Sequence, residues 1–288
     1  MTHFFAEKMW IDNSLKFLHF LSEASQKKES PKDSAVIEMN QKILTLIREF
    51  IRERDGFWDE PVISFADARD PLFLKLKKAV DPSHLLPQDL LKGARSVICY
   101  FIPFKKEVVL SNEKGRSASR LWAIAYIETN KLISELNVHI SQMLKKEGFR
   151  AEPIPPTHNF DTEKLISRWS HKHVAYIGGL GKFGLHRMLI TEKGASGRIG
   201  TVVTDAPFEP TKRKEKEFCL YKNGIECKKC IEKCIFGALR EDVFDRKKCY
   251  KVCLSNARIY ADIGFADVCG KCVSNVPCSF KNPSSGSA

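Results

Sequence analysis

Nine of the ten cysteines in this 288-residue chain fall between Cys219 and Cys278, and their spacing is the first feature that could do chemistry. One run reads Cys227-Lys-Lys-Cys230-Ile-Glu-Lys-Cys234; after Cys249 and Cys253 a second pair, Cys269-Gly-Lys-Cys272, is followed by Cys278. A two-residue spacer lets two thiolates converge on one inorganic core while backbone amides point at its sulfurs. Two such pairs, each followed by one more cysteine, describe a duplicated cluster-binding unit. Disulfides suit small secreted domains, and Glu7, Lys8 and Asp12 stand where a secretory signal would keep its apolar stretch. Paired zinc sites also use Cys-x-x-Cys, but they close on a second such pair without the extra cysteine. The pattern therefore places iron–sulfur clusters ahead of zinc, and zinc ahead of disulfides or free thiols.

The first run, leading into Ile235-Phe-Gly-Ala-Leu239, resembles bacterial ferredoxins, where the last cysteine of each run ligates the other cluster. By that crossed rule one [4Fe–4S] cluster takes Cys219, Cys227, Cys230 and Cys278, and the other takes Cys234, Cys249, Cys269 and Cys272. Cys253 stands four residues after Cys249 on an expected helix and is the alternative to it. Cys99, inside an apolar strand, reads as a small core hydrophobe.

An apolar fraction of 43% with 10% aromatics is that of a folded chain, long enough for one large domain and a small one. No apolar run approaches the roughly eighteen residues of a membrane helix. The expected location is cytoplasmic, a reducing place where thiolates persist. The formal net charge is +12. Two oxidised clusters with their thiolates would add about −4, and part of the Lys and Arg excess beyond Thr211 would offset that charge. The rest reads as a solvated basic face, with an acidic electron donor or RNA as other possible partners.

Around the cysteines stand the elements that must position them. Apolar spacing predicts helices over 2–24, 35–54 and 117–147, the last ended by Gly148. Strands are expected from Val62 to Asp67, Ser96 to Ile102, Arg150 to Pro155 and Arg198 to Thr204; Pro153 confines its strand to a sheet edge. Their alternation indicates an α/β (α+β) N-terminal domain followed by a C-terminal two-cluster ferredoxin-like domain. The expected divisions are a helical segment over 1–60, a cofactor and substrate domain over 61–210, the cluster domain over 211–283 and a flexible tail over 284–288.

Gly179-Leu-Gly181-Lys-Phe183-Gly184 fits the dinucleotide fingerprint G-x-G-x-x-G, with Asp205 at a distance suited to a ribose. That motif needs a strand before it and several helical turns after it, and here about seven residues separate Gly184 from Thr191. Taken from the residues alone, the glycines either admit another large planar cofactor or make a tight turn. His158, His171, His173 and His186 surround the stretch, each readable as an ordinary core or surface histidine.

The glycine motif, the two-cluster cysteine pattern, Asp70-Pro-Leu-Phe73, His84-Leu-Leu-Pro87, Ala94-Arg-Ser-Val97 and Thr201-Val-Val-Thr-Asp205 together resemble epoxyqueuosine reductases and, more distantly, corrinoid-dependent reductive dehalogenases. The resemblance spans about residues 62 to 280. It implies a cobalamin between the α/β and iron–sulfur domains, reduced to Co(I) through the clusters, with an organic substrate losing oxygen or halide. It places Gly179, Gly181, Phe183, Gly184, Leu185 and His186 along the corrin. It also implies an external low-potential donor, a ferredoxin or flavodoxin. The family's acidic proton donor would fall near Leu165, where no acid stands, so Asp161 and His158, on the loop before the site, become the candidates for proton delivery. The repeat-rich extension that helps full-length reductases hold tRNA has no counterpart up to Ala288, and tRNA modification is not assigned. Two other readings compete: an electron-transfer or reductive-activation protein acting on a corrinoid partner, and a zinc-binding module.

Overall fold

The strand Ser96–Pro103 is apolar on both faces and every residue of it is buried, so it must lie inside a sheet covered on both sides. A computed structural model, which describes residues 31–156 and 160–285, shows this arrangement. The expected helix over 2–24, His158 and the last three residues of the expected tail lie outside the described residues. Contacts divide the chain into Met1–Met39 and Asn40–Ala288. A helix, α1 (Pro31–Arg52), runs across that division, and in the second unit its Ile43, Ile47 and Ile51 are buried.

The sheet has four strands in the order β1 (Val62–Asp67), β2 (Ser96–Pro103), β8 (Gly197–Thr204), β3 (Ala151–Pro153). Every pairing is antiparallel, with Phe65 opposite Ile98 and Ile98 opposite Val202. The fold is a mixed α and β one, as the strand–helix–strand alternation indicates, and its main sheet is antiparallel throughout. The reason is topological: β8, the last strand in sequence, inserts between β2 and β3 and runs against both. Pro153, lacking an N–H, does sit on the edge strand.

Alternate side chains of β2 serve the two faces. Tyr100 faces the long helix α5 (Arg120–Lys146), where its hydroxyl donates to Asn137 Oδ1 at 2.6 Å, and Asn137 Nδ2 donates to the Ile154 carbonyl at 2.6 Å. Helix α5 starts where Ser119 accepts the Trp122 N–H at 3.1 Å. Gly200 lies opposite Tyr100 in β8, where any Cβ would run into the phenol ring. On the other face Val97, Cys99 and Phe101 pack with Val174, Ala175 and Ile177 of α6 (His171–Ile177). Cys99 is fully buried there and burial pushes its thiol well up, as suits a core hydrophobe.

The cysteine-rich segment has little regular structure: two helices, α7 (Lys229–Glu232) and α8 (Arg246–Ile259), and single 3₁₀ turns. Its order comes from a shared core, in which Phe218, Cys219, Cys230, Leu239 and Val273 pack with Phe104, Val109, Trp122 and Ile190. Polar clamps add to it. The Ala195 N–H donates to the Cys278 carbonyl at 2.9 Å, and Ser196 Oγ donates to the Val273 carbonyl at 2.7 Å. The Cys-rich stretch is thus packed into a core that it shares with the rest of the second unit.

Candidate redox site: two cysteine groups beside an open cavity

Cys219, Cys227, Cys230 and Cys278 line one small cavity, together with His186. The chain reaches it by turns: the Asn223 N–H donates to the Cys219 carbonyl at 3.1 Å, α7 carries Cys230, and a tight turn over 276–279 presents Cys278. Burial pushes the Cys230 thiol up to about 11, and the nearby charges of Cys219 and Cys227 push the same way. Cys278 is raised by burial and then by Cys230, Cys219 and Cys227. The four sulfurs thus share one field. Backbone N–H groups, those of Ile231 and Cys230 on Cys230, oppose it by hydrogen-bonding to sulfur.

The second group forms in the same way. Cys272 is raised by burial, then by Cys269, Cys249, Cys234 and Cys230. Cys269 is raised by burial against a backbone hydrogen bond from Lys271. Cys234 Sγ accepts the Leu239 N–H at 3.3 Å. Cys249 and Cys253 lie one turn apart on α8 and hydrogen-bond to each other, which lowers the first thiol and raises the second. Cys230 of the first group also raises Cys272, so the two groups of cysteines adjoin. Among the described residues no three His, Cys, Asp or Glu side chains are drawn together in a way that would hold a single metal ion.

Cys249 and Cys253 open onto a large cavity, whose other walls include Phe160, Ile166, Lys172, His173, Phe183, Gly184, Arg246 and Tyr250. Phe160 lies on the two-residue strand β4 (Phe160–Asp161), paired with β5 (Ile166–Ser167), and its ring lies 5.6 Å from that of Tyr250. His173 Nδ1 is 2.7 Å from Ser170 Oγ, and burial holds its imidazole at about 4, so the ring is neutral. Lys172 Nζ donates to the Arg187 carbonyl at 3.1 Å; burial lowers its ammonium and the charges of Cys249 and Cys272 partly restore it. A second cavity shares Ser167, Ser170 and Lys172 with the large one and adds Trp169, His171 and Arg198.

The residues expected along a cofactor divide. Phe183 and Gly184 face the large cavity. Gly179 and Gly181 line instead a small crevice with Tyr176, Lys182 and Arg213. Gly181 is bare because a Cβ would meet the Ile190 carbonyl across the hairpin of β6 (Lys182–Phe183) and β7 (Leu189–Ile190). Leu185 is buried in the core shared with Cys219 and Cys230. His186 turns to Cys278, its Nε2 3.3 Å from the sulfur. No dinucleotide fingerprint forms, since a helix precedes the glycines and a hairpin follows them. Asp161 also departs from its expected place: its carboxylate is exposed and accepts the N–H groups of Glu163 and Lys164 at 2.9 Å, outside the cavity wall. His171 bonds to the Pro155 carbonyl and Thr201 Oγ1. Lys172, Arg246 and Tyr250 were not foreseen in the wall. Lys172 had a signal in the sequence: a lysine in the first turn of a helix opposes the helix dipole, a local conflict of the kind that marks functional positions.

No family model matches this chain and no curated protein matches it. Solved structures do. An epoxyqueuosine reductase bound to an epoxyqueuosine-modified tRNA-Tyr stem loop superposes with a TM-score of 0.56 at 18% identity, covering 85% of this chain and 66% of that one. Epoxyqueuosine reductase from Streptococcus thermophilus gives 0.55 at 16% identity, over 85% and 69%. A selenomethionine-labelled epoxyqueuosine reductase gives 0.53 at 19%, over 85% and 66%. This chain spans about two-thirds of the length of those proteins. Across the matched 85% it has the fold of the epoxyqueuosine reductases.

Proposed function

We propose that this protein is a cytoplasmic iron–sulfur oxidoreductase. It carries one [4Fe–4S] cluster on Cys219, Cys227, Cys230 and Cys278 and another on Cys234, Cys249, Cys269 and Cys272, and delivers electrons to a cobalamin in the large cavity. The observation that carries this reading is that Cys219, Cys227, Cys230 and Cys278 line one pocket, while Cys249 and Cys253 of the remaining cysteines open onto that cavity. The donor set suits such cores: buried sulfurs meet backbone N–H groups, and cationic iron offsets the repulsion that raises the thiols.

A corrinoid bound there would supply a strongly reducing cobalt centre for removing oxygen or halide from a small organic substrate. The chain's own residues bind and orient. Phe160, Phe183 and Tyr250 offer flat apolar surface, while Gly184 keeps the wall low between them. Lys172 Nζ, shared by both cavities, is the group that can hold a proton for a leaving oxygen, a place the sequence had given to Asp161 and His158. An external ferredoxin or flavodoxin supplies the electrons.

The test is anaerobic purification with iron, sulfide and cobalt analysis, followed by cobalamin titration read in the visible spectrum. Iron and sulfide for two cubes, with a cobalamin spectrum that changes on cluster reduction, support the reading. Zinc in place of iron refutes it.

A further inference from the structure

The hairpin turn after Gly184 fixes His186. The Gly184 N–H donates to the Met188 carbonyl at 2.9 Å, and the Arg187 N–H donates to the Gly184 carbonyl at 3.0 Å. Arg187 takes a left-handed φ of +64°, which reverses the chain and swings the residue before it inward. His186 is 3% exposed, lies in the wall of the first cysteine cavity, and has its Nε2 3.3 Å from Cys278 Sγ.

The ring's tautomer follows from its other nitrogen. Nδ1 accepts the Met188 N–H at 3.0 Å, so it carries no proton, and a neutral imidazole must then bear its hydrogen on Nε2, facing the sulfur. The seat exists only because residue 184 is glycine: a Cβ there would stand 2.6 Å from Cε1 and 2.8 Å from Nε2 of His186. Gly184 thus touches the large cavity on one side and the histidine on the other.

We propose that His186 is a positioning residue for the cluster on Cys219, Cys227, Cys230 and Cys278, donating an N–H···S hydrogen bond to Cys278 that raises this cluster's reduction potential above what the same cysteines would give alone. The inference rests on the iron–sulfur reading of that cysteine set. Reduction adds one negative charge to the cluster and its thiolates, and a donor aimed at sulfur stabilises the more negative state more. The other cysteine set has Leu239 N–H on Cys234 as its corresponding contact, so the two clusters are tuned by different groups.

The experiment is an EPR-monitored redox titration of anaerobic wild type, His186→Ala, His186→Gln and Gly184→Ala. In His186→Ala one cluster should become harder to reduce by tenfold or more in its equilibrium constant, about 59 mV for a one-electron couple, while the other stays put. Gly184→Ala, which displaces the ring, should move the same cluster, and His186→Gln, which keeps an N–H donor, should recover part of the shift. Wild type grown with isotopically labelled histidine should show a histidine nitrogen coupled to one reduced cluster in its hyperfine spectrum, which decides the matter if His186→Ala does not fold. Unchanged potentials in His186→Ala with iron retained, or no histidine coupling in labelled wild type, overturn the proposal. Wild type without iron and sulfide overturns it together with the reading beneath it, so the two failures are distinguishable.

Discussion

Asn112→Ala is the substitution that most directly tests how the second Cys-x-x-Cys loop is held. Asn112 is fully buried at the end of helix α4 (Lys106–Ser111). Its Nδ2 donates to the Cys269 carbonyl and to Ser274 Oγ, both at 2.9 Å, and its Oδ1 accepts the Ser119 N–H at 2.9 Å. Three contacts thus tie the loop carrying Cys269 and Cys272 to the start of α5. Three hydrogen bonds at a net ~1 kcal/mol each give about 3 kcal/mol, and a backbone group left unpaired in the interior adds ~1–2 kcal/mol. The expected loss is about 4–5 kcal/mol. For a chain of this size each kcal/mol lowers Tm by about 2–4 °C, so anaerobic thermal unfolding followed by circular dichroism should shift down by roughly 8–20 °C. The same variant should purify with less iron than wild type. An unfolding midpoint within about 2 °C of wild type, with iron unchanged, would show that the clamp does not hold the loop.

Other perturbations follow from the same geometry. Cluster-free protein should lose stability as pH rises from about 9 toward 11: Cys230 binds its proton more tightly folded than unfolded, so deprotonation favours the unfolded chain in that window, and this one thiol contributes on the order of 2–3 kcal/mol; a flat Tm across that range in chelator-treated samples would contradict it. Cys230→Ser should lose iron while Cys99→Ser, far from either cysteine set and packed against Val174, keeps it, as iron analysis would show. Gly270→Ala should destabilise the protein and release iron, because Gly270 has φ +71° and its Cβ would enter the Trp122 indole; an unchanged iron content and Tm would count against that contact.

How much of this was legible in the sequence depended on whether the deciding contact was local. The cysteine spacing is local, and four of the residues it grouped, Cys219, Cys227, Cys230 and Cys278, line one pocket. The buried run of β2 and the long periodic helix α5 were readable for the same reason. Strand order was not, because nothing in Gly197–Thr204 says that it inserts between β2 and β3. The glycine motif left its contacts unread for a related reason. A glycine shows that something comes close without showing what. At Gly181 it is the Ile190 carbonyl, at Gly179 the Thr211 carbonyl, and at Gly184 the His186 ring. Asp161 looked available for proton transfer because a carboxylate before the site is chemically apt, but a short acidic side chain in a turn is readily taken by the next backbone N–H groups.

Two lysines, Lys271 buried and Lys172 half-buried, bear on whether the second cysteine set holds thiolate or thiol. Lys271 is 3% exposed, and its Nζ donates to the carbonyls of Asn112 at 2.9 Å and Lys114 at 2.6 Å. Lys172 donates to a carbonyl as well. Among the described residues neither forms an ion pair with a carboxylate. A buried ammonium costs several kcal/mol unless an opposite charge stands near it. The charges that raise these two lysines against burial are sulfurs: Cys269 for Lys271, Cys249 and Cys272 for Lys172. Yet burial holds Cys269 and Cys272 protonated unless a cation binds them. Neutral thiols would leave both lysines without a counter-charge, whereas thiolates on a metal core, whose assembly with its ligands is net negative, would satisfy lysine and cysteine together. The two lysines therefore fit a metal-loaded second cysteine set better than an empty one.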